Sequence, residues 1–225
     1  MVAAGRKSSE DSRGALETLC QTYWVPLYGY VRRRVSDVSE AHDLTQAFFA
    51  ELLEKNYVAT ADPDRGRFRA FLLTSFRNFL AKQWNKNRAL KRGGGHHPVS
   101  FDFNQIDSGA GNEPVTNLTA EQIYDRDWAL TLLQRIMDRL RQEFESADRG
   151  HQFDELKPFL AGTPPGLTWE AVAKRLEVSE AAAKMAGSRM RRRYRELVRE
   201  EISQTVSSPQ EVDDEIHKLF AALDL

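Results

Sequence analysis

Cysteine is almost absent: Cys20 is the one thiol in 225 residues. A single thiol forms no internal disulfide and no cysteine zinc cluster. Cys20 sits between Leu19 and Tyr23 on an apolar ladder and reads as buried packing. Long apolar runs are missing as well, since none approaches the ~20 residues of a membrane span. The opening stretch MVAAGRKSSEDSRGALE has no apolar centre and does not read as a signal peptide, so a cytoplasmic protein without a membrane partner is expected. The chain also lacks a carboxylate cluster, a Gly-rich phosphate loop and a nucleophile motif. No catalytic residue is assigned and an enzyme is not expected. His96 and His97 are adjacent, but a metal site needs three or four ligands, so no metal and no cofactor is expected.

Charge of one sign is missing from whole segments. Arg65 to Arg92 holds nine Lys or Arg and no Asp or Glu, whereas residues 93–120 carry Asp102, Asp107 and Glu113 and no Lys or Arg. Acids gather at Asp37–Glu54, at Glu121–Glu155 and beyond Glu200. The net charge of −1 conceals these blocks, and separate blocks of one sign point to separate surfaces for separate partners.

What is present is helical periodicity. Leu16, Leu19, Tyr23, Leu27 and Val31 form a ladder, with Pro26 expected to kink or divide it. A second helix is expected from Ser39, as its cap, to Lys55, with Leu44, Phe48 and Leu52 in register. Asp62-Pro63-Asp64-Arg65-Gly66 is turn chemistry. A third helix runs from near Arg67 towards Leu90, its inner face Phe68, Phe71, Phe76 and Phe79, the remainder basic or amide-bearing, with Arg69 among the outward bases. Aromatic and basic groups interleaved without acids suit single-stranded nucleic acid: aromatic faces stack on bases while cations hold the backbone. Phe68, Phe71 and Phe76 read as core, and Trp84, late among Lys and Asn, as a stacking residue. Gly93-Gly94-Gly95 stops the helix, and 93–120 reads as a flexible acidic linker.

Helix resumes near Thr119 with Trp128, Leu132, Ile136, Leu140 and Phe144 every four residues. The densest signal follows at Leu167–Arg199. Thr168 caps a short helix whose Trp169, Val172, Ala173 and Leu176 share a face, and Ser179 caps a second. That second helix begins small (Ala181, Ala182, Ala183, Ala186, Gly187) and continues basic, a helix-turn-helix suited to close approach to duplex DNA. Ile202 to Leu225 forms an acidic tail ending in an amphipathic segment.

Three of these segments together resemble bacterial RNA polymerase sigma factors of the sigma-70 superfamily, in the compact extracytoplasmic-function (ECF) group. Asp43-Leu44-Thr45-Gln46 with Phe48-Phe49 is similar to the part that docks on the polymerase β′ clamp. Asp64 to Leu72 with Arg77-Asn78 resembles the part that melts and reads the −10 element, and Ser179-Glu180 with Lys184, Arg189 and Arg191 resembles the −35 recognition helix. The resemblance implies an all-α fold: region 2 over 10–92, a linker over 93–120, region 4 over 121–202, and an extension over 203–225. It implies a transcription initiation factor with core RNA polymerase (β′ clamp, β flap) and promoter DNA as partners, and an anti-sigma factor or regulatory kinase as further ones. The −35 contacts expected are Lys184, Ser188, Arg189 and Arg193; the −10 contacts are Arg77, Asn78, Lys82, Trp84 and Arg88; the polymerase contacts are Asp43, Gln46, Phe49 and Glu51. The alternative is a stand-alone helix-turn-helix transcriptional regulator.

Departures from the pattern carry their own expectations. His42 and Ala47 replace frequent acids, and phosphorylation of Thr45 would restore charge there. Glu177 replaces a common turn glycine, which implies strain if its φ is positive. The tail is expected to fold back on region 4 or to offer a docking site to a regulator.

Overall fold

In a computed structural model, residues 9–54, 68–91, 118–162, 164–206 and 208–224 are described. Among them every regular element is helical: α1 (Ser9–Arg32), α2 (Val38–Glu54), α3 (Phe68–Lys91), α4 (Ala120–Ser146), α5 (Gly150–Leu156) with a 3₁₀ turn at Lys157–Phe159, α6 (Trp169–Arg175), α7 (Glu180–Ser203) and α8 (Glu211–Ala221). The Asp62–Gly66 turn, the 93–117 part of the linker, and His96 and His97 lie outside the described residues.

The chain divides into two compact units, Met1–Thr131 with Ser203–Leu225, and Leu132–Ile202. The tail therefore belongs with the first unit, which overturns the expected fold-back on region 4 and leaves a docking site for a regulator untested, and the opening turns of α4 belong there too.

In the first unit Leu19, Tyr23, Leu27 and Tyr30 of α1, Phe48 and Leu52 of α2, and Phe68, Leu72, Phe76 and Leu80 of α3 are buried. At roughly 1.5–3 kcal/mol for each large side chain withdrawn from water, this row is the main source of the unit's stability. Phe48 lies 4.8 Å from Phe76 and 5.5 Å from Phe79, ring centre to ring centre, which ties α2 to α3. Pro26 does not divide α1. The cap of α2 is Asp37 rather than Ser39: its Oδ1 accepts the Glu40 N–H at 2.8 Å. Thr119 and Gln122 form a reciprocal capping box at the start of α4, at 2.8 and 3.2 Å. Where α1 meets α4, Gly29 leaves room for the Asp127 carboxylate, which a Cβ there would push aside.

In the second unit Leu132, Ile136, Leu140 and Phe144 of α4 are buried, as are Phe153, Leu156 and Phe159, Val172 and Ala173 of α6, and Met190, Leu197 and Ile202 of α7. The helix-turn-helix forms at α6–α7. Thr168 Oγ1 accepts from Ala171 N at 3.2 Å and Ser179 Oγ from Ala182 N at 3.2 Å, so both caps are where the sequence put them. Between them Glu177 takes φ 54°. Val178 N–H reaches Ala173 O at 3.0 Å and Glu177 N–H reaches Lys174 O at 3.3 Å, a Schellman ending with a glutamate in the left-handed position.

Candidate nucleic-acid interface

Two surfaces carry the residues singled out by sequence, one in each unit. In the first unit α3 presents Asn78 and Lys82 beside α2. With Phe48, Glu51, Phe71, Ser75 and Phe79 they line a groove of about 410 Å³, aromatic at its floor and polar at its rim. Lys82 Nζ stands 3.7 Å from Glu51, so residues assigned to two different partners face each other. Arg77 is half-exposed and lies 3.9 Å from Glu121. Glu121 also accepts from Tyr30 at 3.3 Å and from Arg34 at 3.4 Å. Burial, with the Glu121 charge adding to it, raises the Tyr30 phenol to about 12, although Arg34 and Arg77 oppose this. Tyr30 thus stays a neutral donor. Trp84 is partly exposed, and the Arg88 side chain lies outside the described residues.

On α2, Asp43 and Gln46 are exposed and Glu51 is partly exposed. Phe49 is not on the docking face: it is 4% exposed and stacks on Trp24 with ring centres 5.5 Å apart. The second apolar face of α2 is satisfied by α1, which sequence periodicity alone does not say. Thr45 is fully buried and its hydroxyl donates to Ala41 O at 2.8 Å. A kinase cannot reach it in this fold, and that expectation is withdrawn.

Arg69 corrects another reading. It is buried, not part of the outward basic face. Its Nε donates to Glu215 Oε1 at 3.1 Å, its Nη1 donates to Asp125, and its guanidinium lies 4.3 Å from the Trp128 ring centre. Burial pulls its pKa down, but the Asp125 and Glu215 carboxylates outweigh that, and the net direction is up. Tyr124 donates to the Arg69 carbonyl at 3.1 Å. Asp125 and Glu215 are 56 and 146 residues away in sequence, so periodicity carried no signal of the cluster.

In the second unit part of the small run of α7 is used inside the protein, while Ala181 and Ala182 are exposed. Ala183 and Gly187 are buried, and a Cβ at 187 would collide with the Trp169 ring, which stacks on Phe159 at 4.1 Å. Smallness at Gly187 brings α6 and α7 together. Lys184, Ser188 and Arg189 are exposed. Lys184 pairs with Glu180 at 2.5 Å, while Arg189 and Arg195 are exposed with no ion pair to any described residue. Arg192 is 76% exposed and only 3.6 Å from Glu196. These positions share one outward face of the helix.

Arg193 has other work. It makes a two-pronged contact to Glu143 of α4 at 2.8 and 2.9 Å and reaches Glu200 at 3.0 Å and Glu196 at 3.3 Å. Its pKa is raised, first by the hydrogen bonds to Glu143. Those hydrogen bonds in turn hold the Glu143 and Glu200 carboxyls below their usual range. Arg139 extends the network to Glu200 at 2.8 Å. Sequence pointed to Arg193 as a DNA contact; the structure gives it a bracing role between α4 and α7, and Arg192 and Arg195, which were not selected, have the freer guanidinium groups.

Among the described residues no group of His, Cys, Asp and Glu could hold a metal ion. No helix among them is long and apolar enough to cross a membrane.

The first unit carries the basic, aromatic helix α3 and the second carries the helix-turn-helix α6–α7. Residues 19–90 match the family model described as Sigma-70 region 2. Over that part of the chain the match supports a region 2 of the sigma-70 type. No curated protein and no solved structure matches the chain.

Proposed function

We propose that the chain is a sigma factor of the ECF type, acting in the cytoplasm as a binding factor rather than an enzyme. Region 2 docks on the polymerase β′ clamp through the exposed face of α2, at Asp43, Gln46 and Glu51. Bases of the melted −10 element meet α3 at Arg77, Asn78, Lys82 and Trp84, with Arg88 further along. The groove lined by Phe71, Phe79, Ser75 and Asn78 has the floor to stack a base and the rim to hydrogen-bond its edge. The helix-turn-helix, acting as region 4, lays α7 against the −35 duplex through Lys184, Ser188 and Arg189, with Arg192 and Arg195 on phosphates.

The observation that carries this reading is the pairing of a region 2 match over 19–90 with a second unit whose α7 exposes Arg189 and Arg195 with no ion pair to any described residue. A stand-alone regulator has use for the second surface but not for the first. In vitro transcription with purified core enzyme tests it. The expected result is start sites that depend on the added protein, with −10 and −35 elements shared among them. A protein that binds duplex but neither joins core enzyme in a pull-down nor directs any start is the stand-alone regulator instead.

A further inference from the structure

The C-terminal helix α8 has eleven residues, short of the ~12–15 at which an isolated helix begins to hold in water. Its order therefore depends on its seat in the first unit. Val212, Leu219 and Ala222 form a buried apolar row, and Glu215 sits in the same row at 1% exposure. Asp213, Asp214 and Lys218 face outward. The buried Glu215 carboxylate contacts Arg69 at 3.1 Å through both Nε and Nη2.

Arg69 lies in the first turn of α3, the helix that further along exposes Arg77, Asn78 and Lys82. It is held by two carboxylates, Asp125 and Glu215, so the cluster is over-compensated by one negative charge. Losing both partners would strand a buried cation, which is strongly unfavourable. Losing Glu215 alone leaves a neutral Arg69–Asp125 pair. The contact is thus built to be released without collapse of the unit. A guanidinium fork accepts phosphate oxygens in the geometry in which it accepts a carboxylate.

We infer that α8 is an intramolecular strap over the N-terminal end of α3, with the Glu215 carboxylate occupying the place on Arg69 that a phosphate of single-stranded DNA takes once α8 lifts. This rests on the assignment of α3 to the melted strand. With the strap seated, affinity for the strand is reduced by the fraction of molecules that are closed. The outward Asp213 and Asp214 add repulsion of the nucleic-acid backbone.

The test uses the full chain and a labelled single-stranded oligonucleotide of promoter −10 sequence. Glu215→Gln keeps the volume and one acceptor but removes the charge. Its affinity for the strand is expected to rise roughly tenfold, with faster amide exchange over residues 211–221. A synthetic peptide of residues 203–225 added in trans should bring the affinity back down, and adding Arg69→Gln to Glu215→Gln should cancel the gain. Leu219→Ala loosens α8 without touching Arg69 and should act in the same direction, which guards against a folding defect in the first variant. Unchanged or weaker binding in both variants while exchange accelerates makes α8 a structural brace and overturns the strap. If wild type directs specific starts with core enzyme and the variants bind the strand no tighter, the strap fails and the sigma reading stands. If wild type directs none and neither protein binds the strand, both fail.

Discussion

Glu177 holds φ 54° at the one point where α6 must turn sharply into α7. A residue with a Cβ pays roughly 1–2 kcal/mol in that conformation, and glycine pays almost none. The Schellman bonds from Val178 and Glu177 back to Ala173 and Lys174 hold the geometry regardless of the side chain. Glu177→Gly is therefore expected to raise the stability of the helix-turn-helix unit by about 1 kcal/mol, read as a higher denaturation midpoint at unchanged slope. A lower midpoint would mean that the glutamate side chain has a stabilising role its exposed position does not reveal. The strain was legible in the sequence because a glutamate stands where turn chemistry wants glycine. Neighbouring facts were not. Nothing in the spacing of Phe49 says that Trp24 covers it, and nothing around Thr45 says that its hydroxyl is spent on Ala41. Local pattern gives a residue's face; which faces are covered depends on partners far along the chain.

At the scale of elements, the brace between α4 and α7 shows the same limit and has a consequence in pH. Helix existence, both caps of the helix-turn-helix and the apolar stripe Leu132–Ile136–Leu140–Phe144 follow from period and capping chemistry. The Glu143–Arg193 contact joins residues 50 positions apart, so a basic run that reads as a DNA face from sequence is partly a structural joint. Hydrogen bonds from Arg193 hold the Glu143 and Glu200 carboxyls below their usual range. A carboxylate whose folded pKa is depressed adds stability above its unfolded value near 4.3, and that addition is lost as pH falls through the lower folded value. Arg193→Ala should thus destabilise the second unit at pH 7, and the gap between variant and wild type should close below about pH 4. These side chains are about one-third exposed or more, so the gap is modest, on the order of 1 kcal/mol. Arg193→Lys should recover only part of it, because an ammonium cannot make the two-pronged contact to Glu143. Thermal melts of the three proteins at pH 7, 5 and 3.5 check this; a gap that persists unchanged at low pH would show that Arg193 acts through packing.

For the whole molecule, a net charge of −1 and a pI near 6.5 would by themselves argue against nucleic acid as a partner. The distribution is uneven, however, and on the proposed reading the structure sharpens which cations count. Arg69 and Arg193 are neutralised inside the protein by Asp125, Glu215, Glu143 and Glu200, so neither is available to a phosphate in this state. On the proposed reading, the exposed cations of α7 that face duplex DNA are Arg189, Arg192 and Arg195, with Lys184 at the start. Phosphate contacts release counterions, so each contributes about 0.9 to the slope of log affinity against log salt. A base contact contributes little to that slope and a good deal to discrimination, roughly 1–3 kcal/mol for a two-pronged arginine on guanine. The two roles separate experimentally on a promoter duplex found by start-site mapping. Arg192→Ala and Arg195→Ala should each flatten the salt slope by roughly 0.9 and weaken all sequences alike. The weak Arg192–Glu196 pair at 3.6 Å is no obstacle to this, being worth only about 0.3–0.5 kcal/mol in an exposed helix. Arg189→Ala should leave the slope nearly as it was and relax preference at one base pair of the −35 element. If instead Arg189→Ala flattens the slope and weakens every sequence equally, Arg189 holds the backbone, and the base-reading end of α7 lies at Lys184 and Ser188.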